Sequence, residues 1–375
     1  MSGRAEAVWE PLAAADPRHG AKAAALARLV RAGFPVPDGI VLADPAAAGW
    51  PEALAPALRA LGAERFAVRS SAGAEDGARA SFAGQLHTTL NVPASRVAEA
   101  VRRTARSGRG DGLAAYQART GRRIGGPVPV LVQIMVDARA AGVAFTRHPV
   151  TGADELVIEA VHGLGERLVS GAATPERWSA QQRWAGTATP RRAGAGGAVA
   201  SAGTAVLTSR QADAVADTAR RIEALFGCPQ DVEWAIAAGR VWVLQARPIT
   251  TAPPPEPTGT AAGRPLLTGA PASPGTATGA VRVIGGLDEF ARFLDGEVLV
   301  CRATSPAWTP LLARAAAVVT ETGGMLAHAA IVAREFAIPA VTAASGALAR
   351  LTEGRQVLVD GTCGTVTAIE EEPTR

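Results

Sequence analysis

One segment constrains this chain more than any other: TAPPPEPTGTAAGRP, residues 251–265, whose proline content favours an extended and partly stiff connector. It leaves about 250 residues before it and about 110 after it, each a plausible domain size. The 375 residues therefore read as two folded units, 1–250 and 266–375, joined by 251–265.

Both units carry mixed signals. In the first, short β-branched runs read as strands at 66–70 (FAVRS), 128–136 (VPVLVQIMV) and 155–161 (ELVIEAV). VEWAI and VWVLQA, between 232 and 246, read as a hairpin turned at AAGR. Helical patterns cover AKAAALARLVRAG at 21–33, closed by Gly33, and DAVADTARRIEALFG, closed by Gly227. A weak stretch near 185–203 reads as a surface loop or hairpin. In the second unit TGAVRVI, EVLVCRA and AAAVVTE are strand-like and AHAAIVAREFA is an amphipathic helix. Irregular alternation of helix and strand, with no internal repeat, points to an α/β or α+β chain and away from a solenoid.

Composition narrows the function by exclusion. Lys and Arg total 38 against 34 Asp and Glu, and the arginines are scattered, so nucleic-acid binding gains no support. The three cysteines, Cys228, Cys301 and Cys363, have no metal-ligand spacing and read as reduced, buried thiols of a cytoplasmic protein. No stretch approaches ~20 uninterrupted apolar residues, and the N-terminal residues mix both charge signs, which argues against a membrane span and a secretion signal.

The chemistry concentrates in TETGGMLAHAAIVAREFAIPAV. There a buried strand ends, two glycines turn the backbone, and His328 opens a helix whose free amides suit an anionic group. Neutral imidazole is a competent nucleophile toward phosphorus because its ordinary pKa is about 6.5. A lone histidine in such a place most often does no more than cap a helix; the surrounding sequence changes the reading. From LTGAPASPGTATGAVRVI through ATSPAWTPLLARAAAVVTETGG to VAREFAIPAV, the segment resembles the phosphohistidine domain of the phosphoenolpyruvate-utilising enzymes, which include phosphoenolpyruvate synthase, pyruvate phosphate dikinase and rifampicin phosphotransferase. The resemblance implies that His328 carries phosphate between two sites. Ala327 replaces a residue that is usually small and polar in that family. Leu326 replaces a regulatory threonine, as in the rifampicin phosphotransferase branch.

The first unit resembles the ATP-grasp domain of the same enzymes over roughly positions 10–250. HGAKAAALARLVRAGFPVPDGIVL matches the opening motif, which implies that Lys22 meets phosphate. In RFAVRSSAGAEDGARASFAGQLHTTLNV, Arg69 ends a buried strand beside small residues, and its planar fork suits phosphate. By resemblance Arg69 contacts the ATP phosphates and the SFAG loop, with Ser81 and Gly84, closes over them. VLVQIMV supplies Gln133 and the backbone around Met135 as candidate adenine contacts, and VIEAVHGLGERLVSG places Glu166 near the cleft. Arg147 and His148 depart from the family's usual residues before the proline. Asp231, Glu233, Gln245 and Arg247 alternate on two adjacent strands, so the members of each pair share a face. The oxygens of Glu233 and Gln245 suit Mg²⁺, and Arg247 would offset charge on the transferring group.

The resemblance implies an ATP-grasp domain followed by a small swivelling phosphohistidine domain, using ATP and Mg²⁺. Together they would move phosphate through His328 to a small-molecule acceptor, with release of AMP and phosphate. Neither a pyruvate barrel after the histidine segment nor an antibiotic-binding domain before it is recognisable. Two other readings stay open at this point: an energy-coupling subunit that passes phosphate to a separate acceptor protein, and a non-catalytic ATP-binding regulator.

Overall fold

The computed structural model describes residues 8–72, 88–107, 111–121, 128–181, 191–192, 205–249 and 264–369. Ser81, Gly84 and residues 251–263 of the connector lie outside these segments.

Short, largely apolar and buried strands build the core of the first sheet. Its antiparallel strands run in the order Glu10–Pro11, Gly39–Leu42, Val130–Ile134, Arg65–Ser70 and Thr88–Pro93. Phe66, Val68, Val130 and Val132 point to one face, where the Trp50–Leu61 and Val97–Arg106 helices cover them with Trp50, Leu54, Leu58, Val97 and Val101. The opposite face is left for Ala67, Arg69 and Gln133, and it faces a cavity.

A second antiparallel sheet runs in the order Arg240–Pro248, Gln230–Ala237, Ala140–Phe145, Glu155–His162, Glu176–Gln181 and Arg191–Arg192. Val232, Trp234 and Ile236 bury one face against the Ser209–Phe226 helix, which contributes Ala212, Val215, Ala219 and Ile222. That helix begins with a capping box between Thr208 and Gln211 and is closed by Gly227, as its sequence predicts. Pairing of Arg191–Arg192 with Trp178 and Ser179 brings strand structure into the segment read as a loop or hairpin; the rest of that segment is outside the described residues.

The residues after the connector form an eight-stranded sheet. At its centre Thr276–Val283, Val298–Cys301, Ala317–Thr320 and Ala340–Thr342 run parallel, and the last three are buried along their whole length and almost wholly apolar, as expected for strands covered on both faces. The His328–Phe336 helix crosses between the last two of these strands. Antiparallel strands Leu267–Thr268, Thr365–Ala368, Gln356–Asp360 and Ala270–Ser273 complete the sheet.

The Asp111–Thr120 helix belongs to the first unit by sequence and to the second by packing. Tyr116 is fully buried and its ring lies 5.8 Å from that of Phe336, within a cluster that includes Trp308, Leu311 and Ile338. The expectation of three buried thiols holds for Cys301 and in part for Cys228, but Cys363 is exposed. It sits in the tight turn after Gln356–Asp360, where the Asp360 carboxylate accepts its backbone N–H. Among the described residues no helix is long and apolar enough to cross a membrane.

Candidate active site between the sheets and the histidine helix

A cavity of about 580 Å³ opens where the two antiparallel sheets face each other, and the start of the histidine helix forms part of its wall. Each predicted residue within the described segments lines it. Lys22 comes from the Gly20–Arg31 helix, Arg69 and Gln133 from the first sheet, Met135 from the segment just beyond it, and Glu166 from the start of a short helix. Glu233, Gln245 and Arg247 come from the second sheet and His328 from the start of the His328–Phe336 helix in the second unit.

The hairpin explains the geometry of its polar face. Residues 230–237 and 240–248 pair through the two-residue turn Ala238–Gly239, both in the left-handed region, and a bulge at Glu233/Trp234 then shifts the register by one, which brings Asp231 opposite Arg247 and Glu233 opposite Gln245. Arg247 Nε and Nη2 each donate to Asp231 Oδ2 at 2.8 Å. Burial pushes the Asp231 carboxyl above its ordinary value, and the Arg247 guanidinium pulls the other way. Asp231 Oδ1 is buried with no hydrogen-bond partner among the described residues.

Arg69 crosses from the first sheet to this face. Its Nη2 donates to Gln245 Oε1 at 2.6 Å and to Glu233 Oε2 at 3.1 Å, and its Nη1 donates to the Leu244 carbonyl. Lys22 Nζ donates to the Ser70 carbonyl at 3.0 Å, close to the end of the strand that carries Arg69. Gln133 donates through Nε2 to the Pro37 carbonyl at 3.1 Å, so its amide is anchored at the cavity edge. The carboxylate oxygens of Glu233 and the amide oxygen of Gln245, on neighbouring strands and both on the cavity wall, are hard donors. They fit a Mg²⁺ that takes its remaining ligands from water and phosphate. Glu233 and Gln245 are the residues that would hold it.

The histidine is where sequence reasoning needs correction. Its place at the opening of a helix predicts an exposed imidazole, yet His328 is only 3% exposed. It is the first helical residue after Ala327, which provides no side-chain cap, and its neighbours Leu326 and Ile331 pack against the first unit. Thr304 Oγ1 lies 2.8 Å from Nδ1 and Thr309 Oγ1 lies 3.5 Å from Nε2, while the Thr309 hydroxyl donates to the Pro306 carbonyl. Burial pushes the His328 pKa down to about 4, so the ring is neutral at pH 7.

This shift has a stability consequence. Between pH 6.5, the ordinary value, and about 4, the unfolded chain binds a proton at position 328 that the folded chain excludes. Stability is thus fully present above pH 6.5 and falls as the pH is lowered through that window. His148, also pushed down by burial, acts in the same direction. In urea melts at pH 7 and pH 4, His328→Gln is expected to reduce the acid loss by up to about 3 kcal/mol. An unchanged difference would show that position 328 does not titrate in this way.

Sequence reasoning missed the group that seats the histidine loop. Glu159, fully buried on the Glu155–His162 strand, pairs with Arg177 at 2.8 Å and accepts the Met325 N–H at 2.9 and 3.1 Å. Gly324 is required here: a Cβ would stand 2.6 Å from the Glu159 carboxylate and 2.8 Å from Pro175. Around this contact Val143, Phe145, Val157 and Leu168 pack on Met325, Leu326 and Ile331. The available signal was a carboxylate inside an otherwise apolar strand, a position that demands a partner. Thr304 and Thr309 were likewise inside a quoted motif without being singled out. His148 uses Nδ1 to accept the Val150 and Thr151 backbone N–H groups, each at 3.2 Å, so this departure from the family pattern serves the local turn.

Comparison with known proteins settles the family. Residues 40–262 match the model described as pyruvate phosphate dikinase, AMP/ATP-binding domain, and residues 293–364 match that of the PEP-utilising enzyme, mobile domain. The chain belongs to the PEP-utilising enzymes. It is 39% identical over 325 residues to a probable phosphoenolpyruvate synthase of Archaeoglobus fulgidus, covering 80% of this chain and 43% of that protein. A probable phosphoenolpyruvate synthase of Methanothermobacter thermautotrophicus is 38% identical, with 80% and 46% covered. The phosphoenolpyruvate synthase of Aeropyrum pernix is 33% identical, with 94% and 56% covered. This PEP-utilising chain therefore spans about half the length of these relatives. ATP-grasp architecture and a mobile-domain sheet account for its mixed α/β fold.

Proposed function

We propose that this chain is an ATP-dependent phosphotransferase of dikinase type that works through phospho-His328, with residues 1–250 as the nucleotide unit, 251–265 as the linker and 266–375 as the phosphohistidine unit. One observation carries the reading: His328 lines the same cavity as Lys22, Arg69, Glu233, Gln245 and Arg247. Met135 and Gln133 mark the adenine end. Lys22, Arg69 and Arg247 supply positive charge for the phosphates, and Glu166 borders the same cleft. In the tautomer with the proton on Nδ1, Thr304 accepts it at 2.8 Å and the Nε2 lone pair is left for attack.

In the first step Nε2 bonds to the β-phosphorus of ATP. The bond from that phosphorus to the oxygen bridging to the α-phosphorus breaks, and its electron pair stays with AMP. Water then takes the terminal phosphoryl group as phosphate, and the remaining phosphoryl group on His328 passes to a small-molecule acceptor. Mg²⁺ held by Glu233 and Gln245 would neutralise phosphate charge. The apolar Leu326 beside His328 offers no hydroxyl for regulation by phosphorylation.

The test uses ATP labelled separately at the β and γ positions, followed by product separation. AMP and free phosphate are expected, with β label on the protein. ADP as the sole nucleotide product, with γ label on the protein, would overturn the dikinase mechanism. β label that remains on the protein until a second protein is added would place the acceptor on a separate chain, and absence of any label would favour the regulator.

A further inference from the structure

Arg69 and the oxygens suited to a divalent cation are partners already. A single nitrogen, Arg69 Nη2, donates to Glu233 Oε2 at 3.1 Å and to Gln245 Oε1 at 2.6 Å. An ion of magnesium size held by both oxygens would stand about 2.1 Å from each. It would therefore compete with that nitrogen for the same two oxygens. Two cations bound to one carboxylate and one amide oxygen also repel each other at this range.

Displacement of the guanidinium has a cost set by its surroundings. Arg69 and Gln245 are both buried, and Glu233 is half-buried, so a bare ion entering here would strand a cation in a poorly solvated site. A phosphate removes that obstacle because its oxygens match the guanidinium fork. Arg69 then exchanges a carboxylate for a phosphate while Glu233 exchanges a guanidinium for a metal ion. Every charge stays matched throughout.

We propose that Arg69 makes divalent-cation binding at Glu233 and Gln245 conditional on nucleotide. Its guanidinium holds the two oxygens against a bare ion and gives them up when phosphates arrive. This inference rests on the reading that the cavity binds nucleotide. Metal and nucleotide then bind with positive coupling, and by linkage each strengthens the other by the same factor.

The experiment is a titration of the intact chain with Mn²⁺, followed by the electron-paramagnetic signal of the free ion, alone and with a slowly hydrolysed ATP analogue, after correction for ion held by the analogue in solution. Wild type, Arg69→Met and Arg69→Lys are compared, with circular dichroism to establish folding. Wild type is expected to bind Mn²⁺ alone about tenfold or more weakly than Arg69→Met, and to gain about tenfold or more when the analogue is added. Arg69→Met should gain no more than about threefold, and Arg69→Lys should resemble wild type. Equal Mn²⁺ affinity of wild type with and without the analogue would overturn the proposal and needs no variant. So would an Arg69→Met chain that binds bare Mn²⁺ no better than wild type. Calorimetry of the analogue with wild type is read separately: failure to bind sinks the nucleotide reading and this inference with it, whereas binding without coupling sinks the inference alone.

Discussion

His328→Ala is expected to abolish the acid-labile, base-stable phosphoenzyme while the chain still binds ATP. The imidazole belongs to the wall of the cavity contributed by the second unit, whereas Lys22, Arg69 and Arg247 come from the first. Removing the nucleophile therefore leaves the phosphate contacts in place. We expect labelling from ATP to fall by at least about a thousandfold, since no other side chain takes over a covalent role, and ATP affinity to change by no more than about threefold. Rapid-quench labelling with an acid and base stability check measures the first quantity, and calorimetry the second. Persistent label with the same acid lability would move the carrier to another residue. The gap left by a buried ring is tolerable here because Thr304 and Thr309 border it and can be hydrated from the cavity.

The second large effect concerns stability as well as turnover. Arg247→Met is expected to lower the unfolding free energy at pH 7 by about 3–5 kcal/mol, the usual scale for breaking one side of a buried ion pair. Asp231 is the reason, because its Oδ2 takes both donors from Arg247 and its Oδ1 has no hydrogen-bond partner among the described residues. Without the guanidinium, the carboxylate keeps its desolvation penalty and loses its hydrogen-bonded counter-charge, with only the weaker pull of Arg334 left. It can escape by taking up a proton, so the deficit should shrink as the pH is lowered toward 5, opposite in sign to the His328 effect on stability. Urea unfolding of both proteins across that range measures this. A deficit independent of pH would locate the cost in lost packing instead.

Local patterns in this chain were legible because they depend on near neighbours. Period-two alternation puts Asp231 with Glu233, and Gln245 with Arg247, on shared faces, but their cross-strand register needs more than the two-residue turn: a bulge at Glu233/Trp234 moves Glu233 from Leu244 to Gln245. The capping box and closing Gly227 of the Ser209–Phe226 helix are equally local. The contacts of Arg69 were not legible in detail: its partner Glu233 is 164 residues away, and nothing within either strand reports that the two will meet. The docking of Met325 on Glu159 depends on how one unit lies against the other, which no periodicity encodes. The family resemblance bridged part of that distance by assigning roles to residues. Their partners in this cavity became visible only in three dimensions.

The Asp111–Thr120 helix gives the assembly a clasp. Because Tyr116 sits against Phe336 at the end of the helix that His328 begins, the nucleotide unit completes part of the hydrophobic interior of its neighbour. If the histidine unit swings away from the cavity, either that helix goes with it or the ring comes out into water. Re-exposing an aromatic side chain of this size costs about 2–3 kcal/mol. A departure of the second kind would leave a greasy scar around Phe336. Whatever surface receives the travelling histidine would then be most effective if it presented an apolar knob of its own.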